Sequence, residues 1–304
     1  MEACRLCGAN APLLLSHILP AFAFRWLRDT SGTGYIRNSA EPNQRVQDGI
    51  KKYWLCADCE TRFSRCETAF ANKLFHPFLK HSGGRFPYDG WLLYFCTSIS
   101  WRLLKLSLED DDLNDWTPAE VSHAVEAEKV WREYLLGKRM HPGGYRQHLI
   151  PMDAMENAGT DAATNINRYL MRAVHMDLCR GNGTIFTYGK LGRFIIIGTI
   201  HESRPHMWKG SKVHGNQGVI EPRKYVLPKP MWGYLNEKAR QVSTSLASVS
   251  PRQQEKIDQT FKQNIDRFAG SDAFRAMQAD VEIFGRDAFT LSNVSGEGKV
   301  PQSA

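Results

Sequence analysis

Cys4-Arg5-Leu6-Cys7-Gly8 and, after residues 9 to 54, Leu55-Cys56-Ala57-Asp58-Cys59-Glu60 are the stretches whose reading decides the fold. Zinc takes four tetrahedral ligands, and two Cys-x-x-Cys turns supply two thiolates each. Gly8 suits the left-handed residue that such a turn needs. The spacing between the pairs is longer than a ribbon-type finger uses, so a segment is inserted between two knuckles. The second knuckle runs into a helix: Phe63, Phe70 and Leu74 recur at helical spacing, which predicts a helix from about Cys59 to Phe75, ended by Pro77 and Gly83-Gly84. A knuckle in a hairpin followed by one at a helix start is the treble-clef arrangement, in which the insert and the helix N-terminus face each other across a groove. The other three of the seven cysteines, Cys66, Cys96 and Cys179, sit singly among apolar residues. That is metal arithmetic and not a disulfide framework.

Between the knuckles lies Leu14-Leu15-Ser16-His17-Ile18-Leu19-Pro20. Together with the Cys-x-x-Cys before it and Leu-Cys-x-x-Cys-Glu after it, this stretch resembles the HNH (ββα-metal) endonucleases. Their zinc-containing members carry a strand reading Asp/His-His-Ile-x-Pro and, later, Leu-Cys-x-x-Cys-His. The resemblance covers about the first 75 residues. It implies structural zinc on Cys4, Cys7, Cys56 and Cys59, His17 as the general base for phosphodiester hydrolysis, and a catalytic Mg or Mn ion with Glu60 as ligand. Ser16 stands where the family has a metal-binding Asp or His, Glu60 where it has a His, and Ser64 where some members have a second His. Glu67 lies one heptad further on the same helix as an additional carboxylate, and Asn43 is a candidate for the family's middle Asn. Each residue also has a plain structural reading. His17 could be satisfied by a backbone carbonyl beside Pro20 and Phe22, Glu60 could answer the helix dipole, and Glu67 could lie on a solvated face.

A net charge of +7 and a pI near 9.0 favour acidic partners, nucleic acid foremost. Arg25, Arg28, Arg37, Arg45, Lys51 and Lys52 fall in the insert and are expected to line the groove that holds His17, with Arg25, Arg28, Arg45, Lys51 and Lys52 the assigned nucleic-acid contacts. A second basic stretch runs from Ser203 to Pro230, with Arg204, Lys209, Lys212, Arg223, Lys224 and Lys229 and with Trp208 placed to stack on a base or to sit in a solvated loop. No run approaches 18 uncharged apolar residues, and the N-terminus shows no secretory signal pattern, so the expectation is a cytoplasmic chain that does not span a membrane. The aspartates at 110 to 112 with Asp115 lack the glycine and alternation of a calcium loop. The Gly-x-Gly at 181 to 183 precedes a strand and gives no support for a dinucleotide site.

The fold class expected is α+β: a zinc treble-clef module at 1–80, a helical region at 81–180, a mixed region at 181–290 and a disordered tail at 291–304. Trp91, Phe95, Ile99, Leu103 and Leu106 predict a helix from Tyr88 to Leu108, and Thr117-Pro118-Ala119-Glu120 is a capping box opening another. A helix is predicted from Ala163 to Leu178, a β-hairpin from Thr184 to Ile200 with an apolar second arm, a further strand near 217–227, and polar helices from Trp232 to Arg286, with a second proline start at Ser250-Pro251. The function these readings point to is a metal-dependent HNH-like endonuclease acting on DNA, with a bacterial defence or mobile-element setting and a protein partner or homo-oligomer open. The alternative is a non-catalytic zinc module that binds nucleic acid or protein.

Overall fold

The computed structural model describes residues 2–110, 113–181, 183–222, 225 and 228–290; Asp112, Asn182, Arg223, Lys224 and the tail from 291 lie outside the described residues. The elements in chain order are β1 (Glu2–Ala3), β2 (Asn10–Ala11), β3 (Leu14–His17), α1 (Ala21–Asp29), β4 (Ile36–Arg37), β5 (Arg45–Val46), β6 (Lys51–Leu55) and α2 (Ala57–Phe70). A π-helical turn (Ala71–Phe75) and α3 (His76–Lys80) follow, then β7 (Phe86–Asp89), α4 (Gly90–Glu109), α5 (Pro118–Leu135), β8 (Gln147–Pro151) and α6 (Ile166–Arg172). The remainder comprises β9 (Val174–Gly181), β10 (Thr184–Leu191), β11 (Phe194–Glu202), β12 (Gln217–Ile220), α7 (Lys229–Ala247), α8 (Pro251–Gln263), α9 (Ile265–Ala269) and α10 (Asp272–Phe284). The chain is a mixture of helices and small sheets. It divides into two compact units, each built from separated stretches, whereas the sequence reading took consecutive ones.

The first unit comprises Met1–Leu27, Gln47–Asp153 and Leu170–Lys229. Its centre is α4, where Phe95, Cys96, Ile99, Trp101 and Leu104 are all fully buried. A helix apolar on every side is one that is covered on every side. Here the covers are α2, α5 and the antiparallel sheet of order β8-β11-β10-β9. The second arm of the predicted hairpin is β11, and Phe194 through Ile200 are buried without alternation, as a doubly covered strand requires. Thr117 caps α5 through the expected reciprocal bonds with Glu120.

Three local outcomes differ from the sequence reading. The segment predicted as one helix to Leu178 stops at Arg172 and becomes β9. There Val174, Met176 and Leu178 pack on the core at a period of two, which outweighs the helical tendency of the preceding residues. The helix after Cys59 also does not end at Phe75. The π-helical turn carries it into α3, where Pro77 sits in the first turn and its missing N–H is not needed. Helix α1, unforeseen, begins after Pro20 and buries Phe22, Ala23 and Trp26, with Phe22 and Trp26 edge-on to Phe75 at 5.0 and 5.4 Å.

The second unit comprises Arg28–Val46, Ala154–Tyr169 and Pro230–Ala304. Its polar helices are as expected, and α8 buries none of its residues. Asp280 of α10 organises what core there is: fully buried, it accepts from the backbone N–H of Asn167 at 2.7 Å and from Arg168 Nε at 2.8 Å, closing the open amides at the start of α6. Burial pushes its carboxyl pKa upward. We expect Asp280→Ala to cost about 3 kcal/mol, because it strands two buried amides and unpairs an arginine that keeps some solvent. Asp280→Asn, which keeps an acceptor oxygen, should cost less. Urea unfolding of both variants checks the order.

Candidate metal centre and the polar cluster beside it

Cys4 and Cys7 lie in the turn between β1 and β2, where the N–H of Gly8 donates to the carbonyl of Cys4 at 2.8 Å and Gly8 takes a positive φ of 78°. Cys56 precedes α2 and Cys59 lies in its first turn. The four sulfurs fall within 4.8 Å of one another, and those of Cys7 and Cys56 are 3.8 Å apart. Thiolates about 2.3 Å from a tetrahedral zinc stand about 3.8 Å from each other, so the donors fit such an ion. Among the described residues this is the group of three or more His, Cys, Asp or Glu side chains close enough to hold a metal. Burial resists ionisation of Cys4, but the N–H groups of Cys7, Cys56 and Leu6 outweigh it and bring that thiol to about 7. Burial pushes the Cys59 thiol up. A cation between the sulfurs would draw all four to thiolate. The cluster can therefore hold a metal such as zinc.

Strands β3 and β6 pair antiparallel, with Leu15 opposite Tyr53, Ser16 opposite Lys52 and His17 opposite Lys51, and β6 leads through Cys56 into α2. Successive strand residues point to opposite faces. Ser16, 2% exposed, donates its hydroxyl proton to Glu60 Oε2 at 2.7 Å, joining the strand to the first turn of α2. His17 turns the other way, and its Nε2 is 2.8 Å from Asp48 Oδ2. Lys51 Nζ reaches the same oxygen at 2.7 Å. Burial opposes ionisation of Asp48, yet Lys51, His17 and the N–H of Gly49 together hold its carboxyl down to about 2. Gly49 is required for packing: a Cβ there would lie 2.3 Å from the Phe24 ring.

Beneath these groups lies Arg102 of α4, 3% exposed. Its guanidinium donates to the carbonyl of His17 at 2.9 Å, pairs with Glu67 at 2.8 Å and rests on the Phe63 ring at 5.1 Å. Glu67 is thus neither a solvated carboxylate nor a ligand beside Glu60, because a buried cation claims it. Asn43 belongs to the second unit, where its Oδ1 accepts from the N–H of Ser250 at the start of α8.

The basic residues assigned from sequence divide between the two units. Arg25 is exposed on α1, Lys51 serves Asp48, and Lys52 is paired with Asp110, all in the first unit. Arg28 bonds Asp29, and Arg45 stacks on Tyr35 at 4.1 Å, both in the second. Trp208 is not available to stack on a base: it is buried against His148 and Phe186 at 5.2 and 5.8 Å. The sequence reading missed Asp48 and Arg102. The signal for Asp48 was its Asp-Gly step just ahead of the strand that pairs with His17; Arg102 gave none, sitting in an apolar helix 85 residues away from His17. No helix among the described residues is long and apolar enough to cross a membrane. Comparison with protein-family models, with curated proteins and with solved structures finds no match.

Metal analysis of purified protein should give one tightly held ion per chain, lost in Cys59→Ser together with cooperative unfolding. Arg102→Met should cost about 3 kcal/mol, the lower end for a broken buried pair because Glu67 keeps some solvent. Thermal or urea unfolding reads this out.

Proposed function

We propose that the first unit carries a zinc-braced ββα site that hydrolyses phosphodiester bonds of DNA, in the manner of the HNH endonucleases that residues 1–75 resemble. Cys4, Cys7, Cys56 and Cys59 hold the structural zinc. The observation that carries the reading is the His17–Asp48 pair at the end of β3, next to the Ser16–Glu60 link to the N-terminus of α2. With its Nε2 proton given to Asp48, the imidazole of His17 keeps a basic Nδ1 that makes no hydrogen bond among the described residues. That nitrogen takes the proton from the attacking water, and Asp48 stabilises the imidazolium that results. Lys51 keeps Asp48 ionised for this purpose.

Glu60 supplies one carboxylate toward a Mg or Mn ion, which binds through one or two carboxylates plus water and substrate oxygens. Bound there, the ion would neutralise charge on the scissile phosphate and the leaving oxygen. Ser16 fixes the Glu60 carboxylate through Oε2, and Oε1 makes no hydrogen bond among the described residues. The setting of such an enzyme would be a defence or mobile-element system in the cytoplasm.

A second reading, a zinc module that binds nucleic acid or protein without cleaving, is favoured by one observation. Ser16 with Glu60, and His17 with Asp48 and Lys51, satisfy one another as a resting structural network would. Incubation of supercoiled plasmid with Mg or Mn separates the two. Under the nuclease reading wild type nicks the plasmid, His17→Ala does not, Asp48→Asn falls by about 10²–10⁴, and all three retain the metal and the fold. No cleavage of double- or single-stranded substrates by wild type would leave the binding module.

A further inference from the structure

The short ribbon of β4 and β5 in the second unit sets two arginines against each other, Arg37 and Arg45 being partners in its register. Directly opposed residues of an antiparallel pair share a face with their Cβ atoms about 5 Å apart, and like charges so placed repel. Tyr35, two residues before Arg37, is buried, and both guanidinium groups gather over its ring, that of Arg45 at 4.1 Å and that of Arg37 at 5.4 Å from the centroid. No carboxylate relieves the repulsion: neither arginine has an ion pair among the described residues, although the loop that joins the strands carries an acid, Glu41. Arg37 uses Nη1 and Nη2 on neutral acceptors, the carbonyl of Pro42 and Oε1 of Gln253, and its Nε is buried without a partner among the described residues. Arg45 is exposed, and its guanidinium makes no hydrogen bond among them. A third guanidinium, that of Arg267, lies beside Gly34 and donates only to the carbonyls of Arg28 and Asp29.

We infer that this face of the second unit is a phosphate site for the backbone of DNA, with Arg45 as the donor and Arg37 adding its charge. The choice of DNA rests on the proposed function, whereas the residues themselves select the anion. Two opposed cations with no acid between them are stabilised when an anion joins them. A guanidinium laid over an aromatic ring keeps its N–H edge turned outward, and that fork matches two oxygens of a phosphate. Phosphate oxygens are arranged tetrahedrally and meet donors from two directions, while a carboxylate offers two oxygens in one plane, which a single guanidinium fills. Stacking on Tyr35 orders the Arg45 side chain beforehand, so little of its freedom is lost on binding. A protein of net charge +7 is drawn to a strand that carries one such anion per nucleotide. Contacts of this kind hold DNA in place without reading its sequence.

The test is fluorescence anisotropy of a labelled double-stranded DNA oligonucleotide on the full chain, without added Mg or Mn and across a salt series, for wild type, Arg45→Ala and Arg45→Lys. We expect Arg45→Ala to bind about tenfold more weakly at low salt. Its plot of log K against log salt should be shallower by about 0.9, the loss of one phosphate contact. Arg45→Lys should recover the slope but only part of the affinity, since an ammonium keeps the charge and loses the fork. A scrambled oligonucleotide should give the same differences. Without DNA both variants should keep the wild-type thermal midpoint, because the Arg45 side chain is exposed; a merely structural stack would lower the midpoint and leave the slope alone. Equal slopes for wild type and Arg45→Ala overturn the inference, as does the absence of DNA binding by wild type at low salt. So does tighter Arg45-dependent binding of a labelled acidic peptide, or a thermal shift with inorganic phosphate that needs Arg45 while DNA binding does not. Plasmid nicking by wild type and His17→Ala, measured in parallel, keeps the two claims apart. His17-dependent nicking with equal slopes sinks the phosphate site alone, whereas an Arg45-dependent slope without nicking sinks the nuclease alone.

Discussion

The convergence of four sulfurs at the start of α2 is the constraint on which the rest of the first unit's N-terminal part depends. Apart from it, residues 2–11, whose strands β1 and β2 pair only with each other, meet the body through the buried Leu6, the Arg5–Glu109 ion pair and a bond from the N–H of Arg5 to the carbonyl of Trp54. Fixing two turns that stand 48 residues apart, residues 8 to 55, removes the entropy of a long open loop at one stroke, a gain that grows only slowly with loop length and so is available even with a sizeable insert. The packing agrees with this division of labour. Leu6, Leu55 and Phe63 are buried immediately around the cysteines, so the centre is embedded in core and is not an appendage. Glu60 follows Cys59 directly. Whatever holds the sulfurs therefore also sets the first turn of α2 and the carboxylate that Ser16 meets.

A second brace comes from the opposite side. Burying a guanidinium is costly, and an ion pair with Glu67 does little better than balance that cost. Arg102 has uses that an apolar residue could not serve. It satisfies the backbone carbonyl of His17 where β3 ends, and it ties α4 to both β3 and α2. The strand and the helix that carry Ser16, His17 and Glu60 are thus fixed from below by one side chain and from the end by four sulfurs. The geometry of Ser16, His17 and Glu60 is set by groups on neighbouring elements.

Much of this was legible from residues, and the parts that were not share a cause. Two Cys-x-x-Cys turns, the Thr117 capping box and the unbroken apolar run of β11 are local signals, and local structure follows them. Helix α1 was hidden because its apolar face is short and its surroundings read as loop. The strand Val174–Gly181 was hidden because its period of two shows only against the core that imposes it. Asp48 and Arg102 illustrate the harder case. Their roles are defined by partners 31 and 85 residues away, and beyond the Asp-Gly step at Asp48 nothing in either residue's neighbourhood in sequence announces them. The same holds for Glu67, whose spacing from Glu60 suggests a shared face while Arg102 decides its use.

The polar groups near His17 are also informative for what they leave over. Ser16 occupies one oxygen of Glu60, and Asp48 occupies one nitrogen of His17, while Lys51 neutralises Asp48. A purely structural network in a partly buried place tends to consume every donor and acceptor, since each unmet one costs free energy. Among the described residues these two groups leave over part of the Lys51 ammonium, which solvent reaches, and two sites of other kinds: the second ring nitrogen of His17 and the second carboxylate oxygen of Glu60. Both belong to residues held rigidly by their other atom. A base fixed through its second nitrogen keeps its orientation when it gains a proton, and a ligand fixed through its second oxygen keeps its place when a cation arrives. Used as proposed, the arrangement would need little further ordering of these two side chains.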